Sequence, residues 1–303
     1  MDSHERQKLR YLDPEIIQKI GSLDLVAREV VEGLRVGVHK SPLRGFSTEF
    51  VHHRQYVPGD NLRHLDWRVY GRTGRYYVKL FEAETNFDAV LLLDASTSME
   101  YSSGKTSKLE YAKFMAASLA YLIVQQRDSA GLAVFDDAIR QYIHPKGASS
   151  TIRDIAHELE KAAPQPKTNI AAQLHELAMR MRRRGLVMLF SDLFDNVEDF
   201  VKGLDHLRFC GHNVTVFHML DPAELNFPFD GTWRFMGLEA PDEILTEPRR
   251  IRAAYLEELD KFLTQVRRAC ERSKIDYVLV DTSRPIDEVL SAYLIGQIRS
   301  TQK

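Results

Sequence analysis

The sequence predicts a doubly wound α/β fold, a mainly parallel sheet with helices on both faces. Three observations lead there. From Phe87 onward, apolar runs of strand length ("DAVLLLD", "GLAVFD", "GLVMLFSD", "NVTVFHMLD", "IDYVLVD") alternate with segments of helical length, the order that builds parallel sheets. The first of them, "DAVLLLD", is apolar between its two aspartates instead of alternating with polar residues, as a strand buried on both faces should be. A chain of 303 residues with 44% hydrophobic content can also bury the core such a sheet needs.

Taken in order, residues 14–35 place Ile16, Ile17, Ile20, Leu25, Val26, Val30 and Leu34 at helical spacing, which predicts two short helices broken near Gly21 and Ser22. Residues 36–85 change character. Glycines with Pro42 and Pro58 punctuate the β-forming segments "STEFVHHRQYV" and "RYYVKLF", so residues 1–85 are expected to form a helical and β-containing N-terminal extension. Residues 86–303 carry the α/β domain. "SKLEYAKFMAASLAYLIVQQ" is apolar nearly all round, as a helix covered on most sides should be. "IRQYIHP" is expected as the hairpin neighbour of "GLAVFD". Helices are expected at "STIRDIAHELEKA", "NIAAQLHELAMRMRRR", "VEDFVKGLDHLRFC", "RRIRAAYLEELDKFLTQVRRACERS" and near 285–299. Residues 222–248 hold four of the eleven prolines and read as an insertion.

Acidic residues exceed basic ones by two, 43 against 41, so no global field draws the chain to nucleic acid or an anionic membrane, and recognition must be local. Two cysteines, Cys210 and Cys270, are too few for a disulfide framework and fit a reducing compartment. The start, "MDSHERQKLRYLD", is charged where a signal peptide needs apolar residues, and no run approaches the roughly 18 apolar residues of a membrane span. The expectation is a cytoplasmic protein with neither a membrane nor a nucleic acid as partner.

In doubly wound folds ligands gather at the carboxyl ends of the strands. Three polar clusters fall there: Asp94, Ser96 and Ser98 after the first strand, Thr168 in the loop "PKTN", and Asp192 at the end of "GLVMLFSD". Residues two apart in a bending loop can aim at one point. Hydroxyl and carboxylate oxygens without His or Cys suit a hard cation, Mg²⁺ first, with Mn²⁺ and Ca²⁺ as alternatives. If hydroxyls supply most of the direct ligands, the cation keeps much of its charge and seeks a carboxylate from outside.

"DASTS" with Thr168 and Asp192 resembles the three-part metal-ion-dependent adhesion site of von Willebrand factor A domains. Further, "GFSTEFVHHRQYVPGDNLRHLDWRVYGRTGRYYVKLFEAE", "LLLDASTSM", "LFSDLFD" and "DPAELNFPF" follow one another as in the bacterial family called domain of unknown function 58, over about residues 33–283. That resemblance implies a von Willebrand A-like fold and a partnership with MoxR-type AAA+ ATPases, for which the chain would be an adaptor in remodelling client proteins. It implies Ser96, Ser98 and Thr168 as hydroxyl ligands. Asp94 and Asp192 would bind the cation directly or through waters, and an Asp or Glu of the ATPase or client would complete the site. Ser149, Ser150 and Thr151 begin an earlier helix and fit capping better than ligation.

Other readings compete. Asp94 could be a strand-end aspartate that only caps a turn. A haloacid-dehalogenase-like phosphatase would start with such an aspartate but needs a second one two residues on as general acid, and that place is Ser96. A metal-assisted phosphoester hydrolase and a metal-independent scaffold remain as alternatives. No G-x-x-x-x-G-K-[ST] loop occurs, so ATP hydrolysis belongs to the partner. Arg54, Asp60, Arg63, Asp66, Trp67 and Arg68 read as a structural knot around the Pro58-Gly59 turn, held by arginine–carboxylate pairs. Arg180, Arg182, Arg183 and Arg184 suit a helix end, where cations complement the dipole. His52, His53 and His157 lack metal-ligand spacing and read as structural or surface residues.

Overall fold

The computed structural model describes residues 49–57, 65–82, 87–165, 169–231, 233–236 and 243–301. The helices expected over 14–35, and Asp60, Arg63 and Thr168, lie outside these residues. The chain divides into two compact units, one of residues 39–86 and one that contains 87–303.

In the smaller unit, β1 (Glu49–Gln55) pairs antiparallel with β2 (Tyr77–Glu82), where β-formers predicted strands. Between them lies a short helix, α1 (Trp67–Thr73), in a stretch read as a knot. Its boundaries have local causes. Asp66 caps its start by accepting from the Arg68 and Val69 amides, and Gly74, at φ 66°, closes it in the left-handed region that glycine enters at little cost. Asp66 also binds His53 Nε2 at 2.8 Å, so this aspartate fixes the turn through a histidine and two backbone amides.

The larger unit follows the predicted alternation. Its elements are β3 (Asp88–Asp94), α2 (Lys108–Gln125), β4 (Ser129–Phe135), β5 (Ile139–Lys146), α3 (Ser149–Lys161), α4 (Ile170–Arg180), β6 (Gly185–Ser191), α5 (Val197–Phe209) and β7 (Asn213–Leu220). Then come the short α6 (Pro222–Asn226), a hairpin of β8 (Trp233–Met236) and β9 (Glu243–Thr246), α7 (Pro248–Arg272), β10 (Asp276–Asp281) and α8 (Ile286–Thr301). Six strands form one sheet in the order β10-β7-β6-β3-β4-β5, all parallel except the hairpin edge β5.

The period of two along a strand sorts side chains to opposite faces. Ala89, Leu91 and Leu93 of β3 join the core beneath α2, α3 and α8, whereas Val90 and Leu92 join the core beneath α4, α5 and α7. Between Asp88 and Asp94, β3 carries no polar residue because both of its faces are dry. The fold is therefore the doubly wound, mainly parallel α/β class that the sequence predicts. One expectation of local chemistry fails. The α3 N-cap is Ala148 with no side-chain cap bond, and Ser149, Ser150 and Thr151 sit inside the first turn, where the buried Thr151 Oγ1 has no hydrogen-bond partner. No helix among the described residues is long and apolar enough to cross a membrane.

Gly185 opens β6 directly opposite Asp88 of β3, and a Cβ there would fall 2.1 Å from the Asp88 carbonyl oxygen. Backbone cannot yield as a flexible side chain would, so Gly185→Ala should lower the unfolding free energy by about 1–3 kcal/mol. Urea denaturation with an unchanged m-value checks this; a midpoint equal to wild type contradicts it.

Candidate functional site

After Asp88 the central strand β3 runs apolar until its last residue, and Asp94 is completely buried. The chain then turns through a short 3-10 segment, Thr97–Glu100, that folds back over the strand end. Asp94 Oδ1 accepts the Ser96 amide at 2.9 Å, and Oδ2 accepts the Ser191 hydroxyl at 2.6 Å. Ser96 Oγ and Ser98 Oγ lie 3.0 Å apart, so Asp94, Ser96 and Ser98 converge as their spacing suggests. The loop is held from the side by Gln165, whose carbonyl accepts the Thr97 amide at 3.0 Å and whose own amide donates to Ala95 O at 2.9 Å. Thr168 itself lies outside the described residues.

On the neighbouring strand, Asp192 follows β6 and is buried. The next residue, Leu193, has φ 58°, a left-handed backbone that leucine rarely adopts and that gathers at functional turns. It lets the Leu193 amide donate to Ser191 Oγ at 3.0 Å. Asp192 Oδ2 accepts from Lys108 Nζ at 2.8 Å, leaving Oδ1 with one long contact, from the Phe194 amide at 3.4 Å.

Lys108 is the first residue of α2 and completely buried. Its ammonium also donates to Glu224 Oε1 at 2.7 Å and lies 5.1 Å from the Phe194 ring centroid. Burial works against its charge, and the two carboxylates more than offset that, so the Lys108 pKa is raised. Glu224 is pushed up by burial and pulled back by the ammonium. Glu224 Oε2 meanwhile accepts the Asp221 amide at 2.8 Å, within a capping box that starts α6. Asp221 in turn accepts the Ser103 amide at 2.9 Å and the Ser103 hydroxyl. His218 closes the rear. Its Nε2 faces the Asp192 carbonyl at 2.9 Å, which can only accept, so Nε2 carries the proton and Nδ1 takes the Tyr277 hydroxyl at 2.8 Å. Burial lowers the His218 pKa to about 4, which keeps the ring neutral.

Sequence reasoning missed Ser191, Lys108, Glu224, Asp221 and His218. A signal existed for Lys108: a lysine at the head of a helix otherwise apolar on nearly all sides, just after the N-cap Ser107, has nowhere to go but inward.

The donor set fits a hard cation. Adjacent octahedral oxygens about 2.1 Å from Mg²⁺ lie about 3.0 Å apart, which matches the separation of the two serine hydroxyls. Asp94 has hydrogen-bond donors but no cationic partner among the described residues, because Lys108 is spent on Asp192 and Glu224. No group of three or more His, Cys, Asp or Glu gathers into a metal-binding cluster among those residues, so hydroxyls would have to share the ligation.

Burial first, then the nearby Asp192 charge, raises the Asp94 pKa to about 7. Below about pH 4 the group is protonated whether folded or not. Between about 4 and 7 the unfolded chain has released a proton that the native state keeps, so stability falls as pH rises, and above 7 the penalty stays constant. In metal-free buffer at pH 8, Asp94→Asn should therefore melt higher than wild type, with the gap closing toward pH 4. A variant that melts lower at pH 8 contradicts this electrostatic account.

Residues 52–262 match the family described as protein of unknown function DUF58. An uncharacterized protein of Mycobacterium tuberculosis is 24% identical over 225 residues, 71% of this chain and 68% of its own length. One from Mycobacterium bovis matches to the same extent, 24% over 225 residues. Among solved structures, the chain is similar to the conserved hypothetical protein BatB of Bacteroides thetaiotaomicron, with 17% identity and a TM-score of 0.47 over 71% of this chain and 99% of that one. The SpRpn10 VWA domain gives 12% identity and a TM-score of 0.42 over 70% and 98%. With the matched segment covering more than half of its length, this chain belongs to the DUF58 family.

Proposed function

We propose that the chain is a cation-dependent protein-interaction module whose contact surface is the loop rim around Asp94. The observation that carries this is the pairing of two serine hydroxyls 3.0 Å apart with a fully buried carboxylate that has no counter-charge among the described residues. Ser96 and Ser98 would offer neutral oxygens, Asp94 a negative one, and Asp192 its remaining Oδ1. Thr168 is the fifth ligand that the family resemblance suggests. A bound Mg²⁺ supplies positive charge in need of a further oxygen ligand, which a partner's Asp or Glu provides.

The chain's own contribution is binding and orientation. The 3-10 turn sets the two hydroxyls, Ser191 orients Asp94, and Lys108 holds Asp192 still. By the same resemblance, the partner is a MoxR-type AAA+ ATPase or its client in the cytoplasm, with the ATPase performing the work. Asp94 and Asp192 both serve the frame of the site, which favours an adaptor over a hydrolase.

The test is affinity purification of the tagged chain from its native cells with Mg²⁺, with EDTA, and as the Ser96→Ala/Ser98→Ala variant. The expected result is an AAA+ ATPase or its client retained only by wild type with Mg²⁺. The same partners under all three conditions would contradict the reading and support a metal-independent scaffold. Mg²⁺-dependent phosphatase turnover that disappears in Asp94→Ala would support a hydrolase.

A further inference from the structure

At the end of the larger unit opposite Asp94, α4 and α5 finish side by side. Both run from the carboxyl ends of the strands toward the amino ends, and two contacts fix their register. His175 Nδ1 and His206 Nδ1 are 2.8 Å apart, and a Cβ on Gly203 would meet Leu174 at 2.9 Å. That register sets Met179 of α4 level with Phe209 of α5. Met179 is 75% exposed and Phe209 90% exposed. The chain leaves α4 and enters β6 through Arg182, Arg183 and Arg184, all exposed.

Helix-dipole complementarity accounts for cations at such an end, and three of the arginines have local roles. Arg180 pairs with Glu176, burial raises the Asp88 pKa and the Arg183 charge offsets part of that rise, and Arg184 lies where a Cβ on Gly211 would meet it. Arg182 makes no hydrogen bond or ion pair among the described residues. The dipole explains neither Phe209 nor Met179. A phenylalanine with nine tenths of its surface in water has no wall beside it, so it protrudes and does not floor a groove. Such a side chain suits a partner that deforms around it, and the headgroup boundary of a bilayer does so without a preformed pocket. The exposed guanidinium groups of Arg182, Arg183 and Arg184 at the same end match lipid phosphates in geometry and charge.

We propose that this end of the α/β unit docks on an anionic membrane surface, with Phe209 and Met179 entering the interface and Arg182, Arg183 and Arg184 on the headgroup phosphates. The sequence expectation of no membrane partner rests on the whole-chain charge balance. Charges more than about 8 Å away are largely screened at physiological salt, so the local arginines decide. The seven-residue strands β3 and β6 separate this end from the Asp94 loop by about 20 Å. A docked molecule would therefore hold the end of the sheet that carries Asp94 on the aqueous side. The inference stands independently of the cation reading.

Co-sedimentation of the full chain with vesicles of phosphatidylcholine alone, or mixed with phosphatidylglycerol, tests it. Wild type should pellet with the mixed vesicles only, and less at raised salt. Phe209→Ser/Met179→Ser and Arg182→Glu/Arg183→Glu should each weaken binding about tenfold or more. Thermal melts of Phe209→Ser/Met179→Ser should match wild type, since both side chains are exposed, and Arg182→Glu alone, which leaves the Arg183 charge near Asp88, should weaken binding without lowering the melt. Pelleting of both variants like wild type would overturn the assignment of this surface, and equal binding to neutral vesicles would overturn its electrostatic part. If wild type fails to pellet with mixed vesicles, the membrane assignment falls and an acidic protein becomes the occupant.

Discussion

The structure turns on one buried charge. Asp94 ends the central strand of a sheet that is dry on both faces, and it lies beside Asp192 at the end of the next strand. Two carboxylates there repel each other, and burial removes the water that would screen them. Among the described residues, the cation tethered there is Lys108, and it is committed to Asp192 and Glu224. Asp94 receives the Ser96 amide and the Ser191 hydroxyl, and no cation among the described residues. The strand-end cluster thus keeps an excess of acid, next to two hydroxyls with oxygens to spare.

The Lys108 network explains why the site can hold its shape without further ligands. A buried ion pair gains little net stability over apolar packing, yet losing one partner leaves an uncompensated charge at a cost of about 3–5 kcal/mol. Lys108, Asp192, Glu224, Asp221 and Ser103 connect the head of α2, the end of β6, the start of α6 and the loop after the 3-10 turn. The segment read from sequence as an insertion at 222–248 therefore contributes directly to the rear of the site, through Glu224 and its capping box.

Fold and site were legible in the sequence to different degrees. The strands β3 and β6 announce themselves because burial on both faces leaves their interiors apolar, and "DASTS" is legible because its spacing is local. Lys108 and Glu224 meet across more than a hundred residues, and only the fold brings them together. Ser191 looked like strand because a hydroxyl pointing at Asp94 satisfies itself inside the core. The helix Trp67–Thr73 was hidden by β-forming neighbours, although Asp66 and Gly74 marked both of its ends. At Ser149–Thr151 the residues suited a cap, but the helix started one residue earlier.

The most direct test of the account is to locate the cation. Crystals of the chain grown or soaked with Mn²⁺, measured for anomalous scattering, should show a peak at bonding distance from both Ser96 Oγ and Ser98 Oγ and beside Asp94, and none in Ser96→Ala/Ser98→Ala. A well-ordered wild-type loop with no peak there, or a peak elsewhere in the molecule, would contradict the central claim that the uncompensated Asp94 and its two serines form a cation site.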